Sequence, residues 1–150
     1  RAIATLVVDI DHFKNVNDDH GHAAGDAVIR RVGELIAQTL RETDKVARFG
    51  GEEFVVLLRE VSEHEAHELA KRIRLVIAES TILFDGNELA VTVSIGCAAI
   101  TSHDRDVEEL IERANRALYS AKAGGRNCVR IAPPPSSKTR AALMRSADSL

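Results

Sequence analysis

Three features of the sequence predict an α/β fold of the α+β kind, with a central, mostly antiparallel sheet flanked by helices. Short β-rich apolar runs alternate with longer stretches whose apolar residues recur at helical spacing. Two of the runs, Val46-Ala47 and Val55-Val56-Leu57-Leu58, flank Phe49-Gly50-Gly51-Glu52-Glu53-Phe54. That arrangement reads as a β-hairpin, because paired glycines accept the positive φ of tight turns. A hairpin in mid-chain argues against a doubly wound parallel sheet. The length of 150 residues suits one domain, and 45% apolar with 29% charged residues is ordinary for a globular chain.

The elements follow in order. Ala4-Thr5-Leu6-Val7-Val8-Asp9-Ile10 reads as a strand buried on both faces. The polar stretch from Asp11 to Gly25 reads as a loop punctuated by Gly21 and Gly25. A helix is expected from Asp26, with Val28, Ile29, Val32, Leu35, Ile36 and Leu40 on one stripe. The hairpin spans roughly Val46 to Leu58. Ser62 and Glu65 have capping-box spacing and open a second helix, whose buried face is Ala66, Leu69, Ala70, Ile73 and Ile77. Asp85-Gly86-Asn87 is a turn between Ile82-Leu83-Phe84 and a long strand. There Val91, Val93, Ile95 and Cys97 alternate with Thr92, Ser94 and Gly96, which predicts one buried face. A third helix starts near Asp106, with Glu109 as capping partner, and buries Leu110, Ile111, Ala114, Ala117, Leu118 and Ala121. Gly124-Gly125 ends it, and Cys128 to Ile131 is a short final strand. Pro133-Pro134-Pro135-Ser136-Ser137 then marks the domain edge, dividing a domain over 1–131 from a linker and tail over 132–150.

Composition excludes several classes. A net charge of −3 argues against a broad nucleic-acid surface but not against one bound nucleotide. No run approaches a membrane span, and no signal peptide opens the chain. Cys97 and Cys128 lie in apparent strands and read as buried thiols of a reducing compartment. No Cys or His cluster has zinc spacing.

Asp9 closes the first strand, where an unpaired buried charge would be costly. If that strand neighbours the hairpin, Asp9, Glu52 and the Ile10 carbonyl form a hard oxygen site of the kind that holds Mg²⁺ beside substrate phosphates. The plainer alternative is that Asp9 caps a loop and Glu52 faces water. The loop Asp11-His12-Phe13-Lys14-Asn15-Val16-Asn17-Asp18 adds a cation, two amides and backbone donors that suit phosphate. Asn17 and Asp26 offer an amide and a carboxylate able to select guanine; equally, Asn17 would make a turn and Asp26 would cap a helix. Lys122 and Arg126 bracket the Gly124-Gly125 break, where they either clamp a triphosphate or complement a helix C-terminus.

The segments Val8-Asp9-Ile10-Asp11-His12-Phe13-Lys14, Asn17-Asp18, Gly21-His22-x-x-Gly25-Asp26, Arg48-Phe49-Gly50-Gly51-Glu52-Glu53-Phe54, Ser94-Ile95-Gly96 and Ala117-Leu118-Tyr119-x-Ala121-Lys122-x-x-Gly125-Arg126-Asn127 occur in this order. Together they resemble the GGDEF domain of bacterial diguanylate cyclases, in its GGEEF form, over roughly Ala4 to Ile131. The resemblance implies a fold similar to nucleotide cyclases and polymerase palms. It implies condensation of two GTP molecules into cyclic di-GMP with release of pyrophosphate. Asp9, the Ile10 carbonyl and Glu52 would hold Mg²⁺ or Mn²⁺. Asn17 and Asp26 would read guanine, supported by His22. His12, Phe13, Lys14, Lys122 and Arg126 would approach the phosphates. Glu52 or Glu53 would help activate the attacking 3′-hydroxyl.

Arg41-Glu42-Thr43-Asp44 looks like the family's product-inhibition site for cyclic di-GMP, or else is an ordinary ion pair at a helix end. Joining two nucleotides from one-site domains implies a two-fold homodimer. The resemblance also implies a cytoplasmic domain, an upstream helix before the first strand, an upstream sensor or receiver module, and membrane anchoring, if any, through segments outside this chain. The rival reading is a silent module that binds GTP or cyclic di-GMP without turnover. Retention of Asp9, Glu52, Glu53 and Lys122 disfavours it.

Overall fold

A computed structural model describes residues 2–134. Pro135, Ser136, Ser137 and the tail Lys138 to Leu150 lie outside the described residues, and with them most of the expected linker. The strands are β1 (Ile3–Ile10), β2 (Lys45–Arg48), β3 (Glu53–Arg59), β4 (Ile82–Phe84), β5 (Asn87–Leu89), β6 (Val93–Ala99) and β7 (Val129–Ile131). The helices are α1 (Phe13–His20), α2 (His22–Thr39), α3 (Glu63–Ala78) and α4 (Val107–Ala123). Five strands form one sheet in the order β2-β3-β1-β6-β7, and β4-β5 is a separate hairpin. Every pairing of the main sheet is antiparallel except β6 with β7.

The strand pleat sorts residues onto two faces. Leu6, Val8 and Ile10 of β1, Phe54, Val56 and Leu58 of β3, and Val93, Ile95 and Cys97 of β6 join the apolar faces of α2 and α3 in the larger core. Val7 and Ala98 point to the other face, where Leu110, Ala114, Ala117 and Leu118 of α4 cover them. Register places Asp9 opposite Ser94 and Val7 opposite Gly96, so β6 meets α4 with small side chains. A Cβ on Gly96 would stand 1.9 Å from the Ala114 carbonyl oxygen and 2.4 Å from the Leu118 nitrogen. The backbones of α4 and β6 therefore touch. This close seat fixes the height of α4 above the sheet, and with it the position of the helix's C-terminal end.

The expected caps are present. Ser62 and Glu65 form a reciprocal capping box at the start of α3, and Asp106 accepts from the Glu109 N–H at the start of α4. Cys97 is buried, and burial, followed by the charge of Glu63, pushes its thiol up to about 12. Cys128 is half-buried and donates to the Ala121 carbonyl.

Four expectations need correction. The polar stretch is not a loop: it holds α1, which buries none of its residues, so no apolar stripe announces it. α2 starts at His22 rather than Asp26, with Gly21 (φ 92) as the break between the two helices. The hairpin turn is wider than a two-residue Gly-Gly turn, with Arg48 opposite Phe54 and only Gly50 at positive φ. The long strand is two strands, β5 and β6, and β6 is buried on both faces because α4 covers the Ser94-Gly96-Ala98 side.

The C-terminal end of the fold is tied by a buried ion pair. Arg113 bonds Asp104 at 2.7 and 2.9 Å, the Ala99 carbonyl at 2.6 Å and the Pro133 carbonyl at 3.2 Å. Burial pushes the Asp104 pKa up, but hydrogen bonds from Arg113 and Thr101 outweigh it and hold the carboxyl below 3.8. Two outcomes follow. Gly96→Ala should lose about 1–3 kcal/mol in urea denaturation by forcing α4 off the sheet; near-parental stability would refute the close seat. Asp104→Ala should cost about 3–5 kcal/mol at neutral pH by leaving Arg113 buried and unpaired. Because a lowered carboxyl pKa stabilises only above the unfolded value, the parent's advantage is full above pH 3.8 and fades as pH falls through the depressed Asp104 pKa. An advantage that persisted in strong acid would exclude the pair as its source.

Candidate active site

The acidic centre is built by strand register. Asp9 pairs directly with Glu53, so both side chains stand on the α4 face of the sheet. Lys122, in the last turn of α4, reaches down and ion-pairs with Asp9. Asp9 has only 5% of its side chain exposed, against 34% for Lys122. The Ile10 N–H donates to the Glu52 carbonyl at 3.2 Å, which joins the hairpin tip to β1. Arg48 stiffens the tip from below, with Nε and a terminal nitrogen on the Gly51 carbonyl at 3.1 and 2.8 Å.

The electrostatics follow from this crowding. Burial raises the Glu53 pKa first, and the charge of Asp9 raises it further; Lys122 pulls it down, and Glu52 adds a smaller upward push. Lys122 thus pairs with Asp9 and also draws down Glu53. The donors suit a hard divalent cation: the carboxylates of Asp9 and Glu52, with Glu53 half-buried beside them. Among the described residues no three His, Cys, Asp or Glu side chains form a closed metal cage. A site of this kind takes its remaining ligands from phosphate and water.

A second cluster lies on α1 and α2. Asn17 is half-buried, and its Oδ1 is buried with no hydrogen-bond partner. It packs on Gly25, where a Cβ would stand 1.9 Å from that oxygen and 3.0 Å from the Phe13 ring. Only glycine leaves this room. Asp26 follows, exposed on α2. Because α2 starts at His22, Asp26 does not cap the helix. It borders a cleft of about 440 Å³ with Ile29, Arg30, Gly33, Arg48 and Phe54. His22 is the exposed first residue of α2.

The remaining candidates differ in setting. His12 is exposed at the start of α1 in a left-handed conformation, φ 54. Phe13 is half-buried and packs its ring against the larger core and beside Gly25. The Lys14 side chain is 86% exposed and loosely paired with Asp18 at 3.0 Å. Arg126 is exposed with φ 65, just past α4. Arg41 and Asp44 stand at the opposite end of β2 from the hairpin tip, roughly 13 Å along the strand. Asp44 is buried and accepts Arg41 Nε and a terminal nitrogen at 3.0 and 2.8 Å, and Arg41 also bonds the Arg59 carbonyl. Burial raises the Asp44 pKa, but the Arg41 bonds prevail and lower it.

The structure therefore unites Asp9, Ile10, Glu52, Glu53 and Lys122. It places Asn17 with Gly25 and keeps Arg41–Asp44 apart. Sequence reasoning overlooked Arg48, the close packing at Gly25, and Asp11. Asp11 is buried and accepts hydrogen bonds from Ser94 of β6 and from Thr92 just before that strand. The two-residue spacing of Asp9 and Asp11 was the available signal, since strand alternation carried one residue past β1 puts both on one side.

A buried acid at the end of a central antiparallel strand, faced by an acidic hairpin tip and a helix-borne lysine, defines a domain of the nucleotide cyclase and polymerase-palm kind. Within that kind the family is specific. The family model "Diguanylate cyclase, GGDEF domain" matches residues 1–128, and the chain belongs to that family. It is 43% identical over 129 residues to diguanylate cyclase A of Treponema denticola, covering 86% of this chain and 35% of that relative's length. The GGDEF domain of DgcB from Caulobacter crescentus, solved in complex with c-di-GMP, is similar with a TM-score of 0.82 and 35% identity, over 87% of this chain and 78% of that one. The active GGEEF domain of a diguanylate cyclase from Vibrio cholerae gives a TM-score of 0.82 at 30% identity, over 89% and 84% of the two chains.

The ion pair is directly testable. Lys122→Met should lower stability by roughly 1–3 kcal/mol, since it strands the buried Asp9 charge. Added Mg²⁺ should then raise the melting temperature of this variant more than that of the parent. Equal melting temperatures without Mg²⁺ would show that Lys122 does not compensate Asp9.

Proposed function

We propose that this domain is a diguanylate cyclase that condenses two GTP molecules into cyclic di-GMP and releases pyrophosphate. The observation that carries the reading is the cross-strand pairing of Asp9 with Glu53 beneath Lys122. It gathers acids and a cation at one strand end, as phosphoryl transfer requires. Asp9, Glu52 and the Ile10 carbonyl would hold Mg²⁺ or Mn²⁺, which when bound neutralises charge on the triphosphate.

The protein's own groups do the rest. Lys122 and Arg126 receive phosphate oxygens, with His12, Lys14 and the backbone at Phe13 offering further donors at the start of α1. The unpartnered Asn17 Oδ1 and the exposed Asp26 carboxylate supply acceptors for the N–H groups on the guanine edge, with His22 beside them. Glu53, raised by burial and by Asp9, is the half-buried acid suited to take the proton of the attacking 3′-hydroxyl, or Glu52 does so. The Glu52 form is compatible with turnover, since the similar Vibrio cholerae domain is described as an active GGEEF domain.

One nucleotide site per domain and two nucleotides per product require a two-fold homodimer. The Arg41–Asp44 pair serves as a product-inhibition site. In support, Asp44 and Arg59 hold a half-exposed guanidinium in a fixed pose, and a similar domain was solved with c-di-GMP. Control by an upstream sensor or receiver module fits the 35% share of the Treponema denticola relative that this chain spans. Among the described residues no helix is long and apolar enough to cross a membrane. We place the domain in the cytoplasm, where its substrate is.

The reading is tested by product chromatography after incubation with GTP and Mg²⁺ at high protein concentration, on a chain extended upstream; absence of cyclic di-GMP would sink it. Glu52→Ala should reduce turnover by at least about 10²-fold. Arg41→Ala should relieve inhibition by added cyclic di-GMP, and unchanged inhibition would leave the pair a structural tie.

A further inference from the structure

Asp11 is 6% exposed, and the chemistry above uses none of its atoms. Its carboxylate accepts the Thr92 hydroxyl at 2.6 Å, the Ser94 hydroxyl at 2.7 Å and the Asn127 backbone N–H at 3.0 Å. The third donor differs from the first two. A hydroxyl rotates to suit its neighbours, whereas a backbone N–H points where the chain points. The bond to Asn127 therefore fixes the course of the chain after α4. Arg74 of α3 grips the same residue from another side, donating to its Oδ1 at 2.8 Å.

The chain at that point does not hold its shape unaided. Gly125, Arg126 and Asn127 have φ of 114, 65 and 47 in succession. Glycine and asparagine accept that region readily; arginine does not. On the helix side the turn is secured by a Schellman pair, Gly125 N–H to the Lys122 carbonyl and Arg126 N–H to the Ala121 carbonyl. On the far side Asp11 and Arg74 hold Asn127 itself, and the next residue is held to α4 and β6, its thiol on the Ala121 carbonyl and its carbonyl on the Ile95 N–H.

We propose that Asp11, seconded by Arg74, is a positioning residue for triphosphate binding. It clamps the left-handed turn so that Arg126 is presented beside Lys122. Asp9 and Asp11 then divide the work, one pairing with Lys122 and the other anchoring the arginine turn. This rests on the reading that Lys122 and Arg126 receive the phosphates of GTP.

The test compares the affinity of a GTP analogue with a methylene bridge between its α and β phosphorus atoms with the affinity of GMP, by calorimetry on the 150-residue chain. Asp11→Ala should lower the triphosphate-to-monophosphate affinity ratio by about tenfold, and Arg74→Ala by a few-fold. Asp11→Asn should recover most of the ratio, because an amide oxygen still accepts the Asn127 N–H. In an Arg126→Ala background neither alanine change should lower the ratio further. Equal losses for both nucleotides, unchanged ratios, or losses that add to that of Arg126→Ala would overturn the proposal. Should Asp11→Ala fail to fold, Arg74→Ala and Asp11→Asn decide alone. A parent chain with no preference for the triphosphate would instead remove the functional reading, and this proposal with it.

Discussion

Two carboxylates buried at the end of the central strand govern much of this molecule. Asp9 and Asp11 sit where β1 leaves the sheet, and neither could be buried without partners. The partners come from far along the chain, Lys122 for one and Thr92, Ser94 and Asn127 for the other. Meeting that demand draws the C-terminal end of α4 down onto the strand end. The same contacts gather the cations and acids on which the proposed chemistry depends.

The sheet makes this approach possible. Ser94, Gly96 and Ala98 line the α4 side of β6, and Gly96 lets the helix backbone rest on the strand backbone. A larger residue would raise α4 and lengthen the reach from Lys122 to Asp9. Packing in the smaller core and electrostatics at the strand end are thus one constraint viewed from two ends. The fixed height of α4 also brings Lys122 to Glu53, which strand register already sets beside Asp9.

The buried polar groups here are of two kinds. Asp104 with Arg113, and Asp44 with Arg41, are buried acids whose bonds to arginine outweigh their burial. Glu53 is raised, and Asn17 Oδ1 has no partner although it is buried. Natural interiors rarely leave such groups unmet unless a ligand completes them. Both occur among the residues that the family motifs mark.

The order of motifs, the antiparallel hairpin, the helix caps at Ser62 and Asp106 and the helical stripes were legible in the sequence, because each is written in local spacing. So was the identity of Asp9, Glu52, Glu53, Asn17, Asp26, Lys122 and Arg126 as candidates. α1 was not legible, since a short helix with no buried residue leaves no periodic mark. Nor were the bonds of Asp11, whose partners lie 81 to 116 residues away. That Glu53 rather than Glu52 stands opposite Asp9 was decided by register, a property of two strands and not of either alone. Residue identity and local spacing name the side chains the site has to work with. Tertiary structure decided which of them meet, because strand register and the seat of α4 on Gly96 are set by contacts between segments that local spacing does not encode.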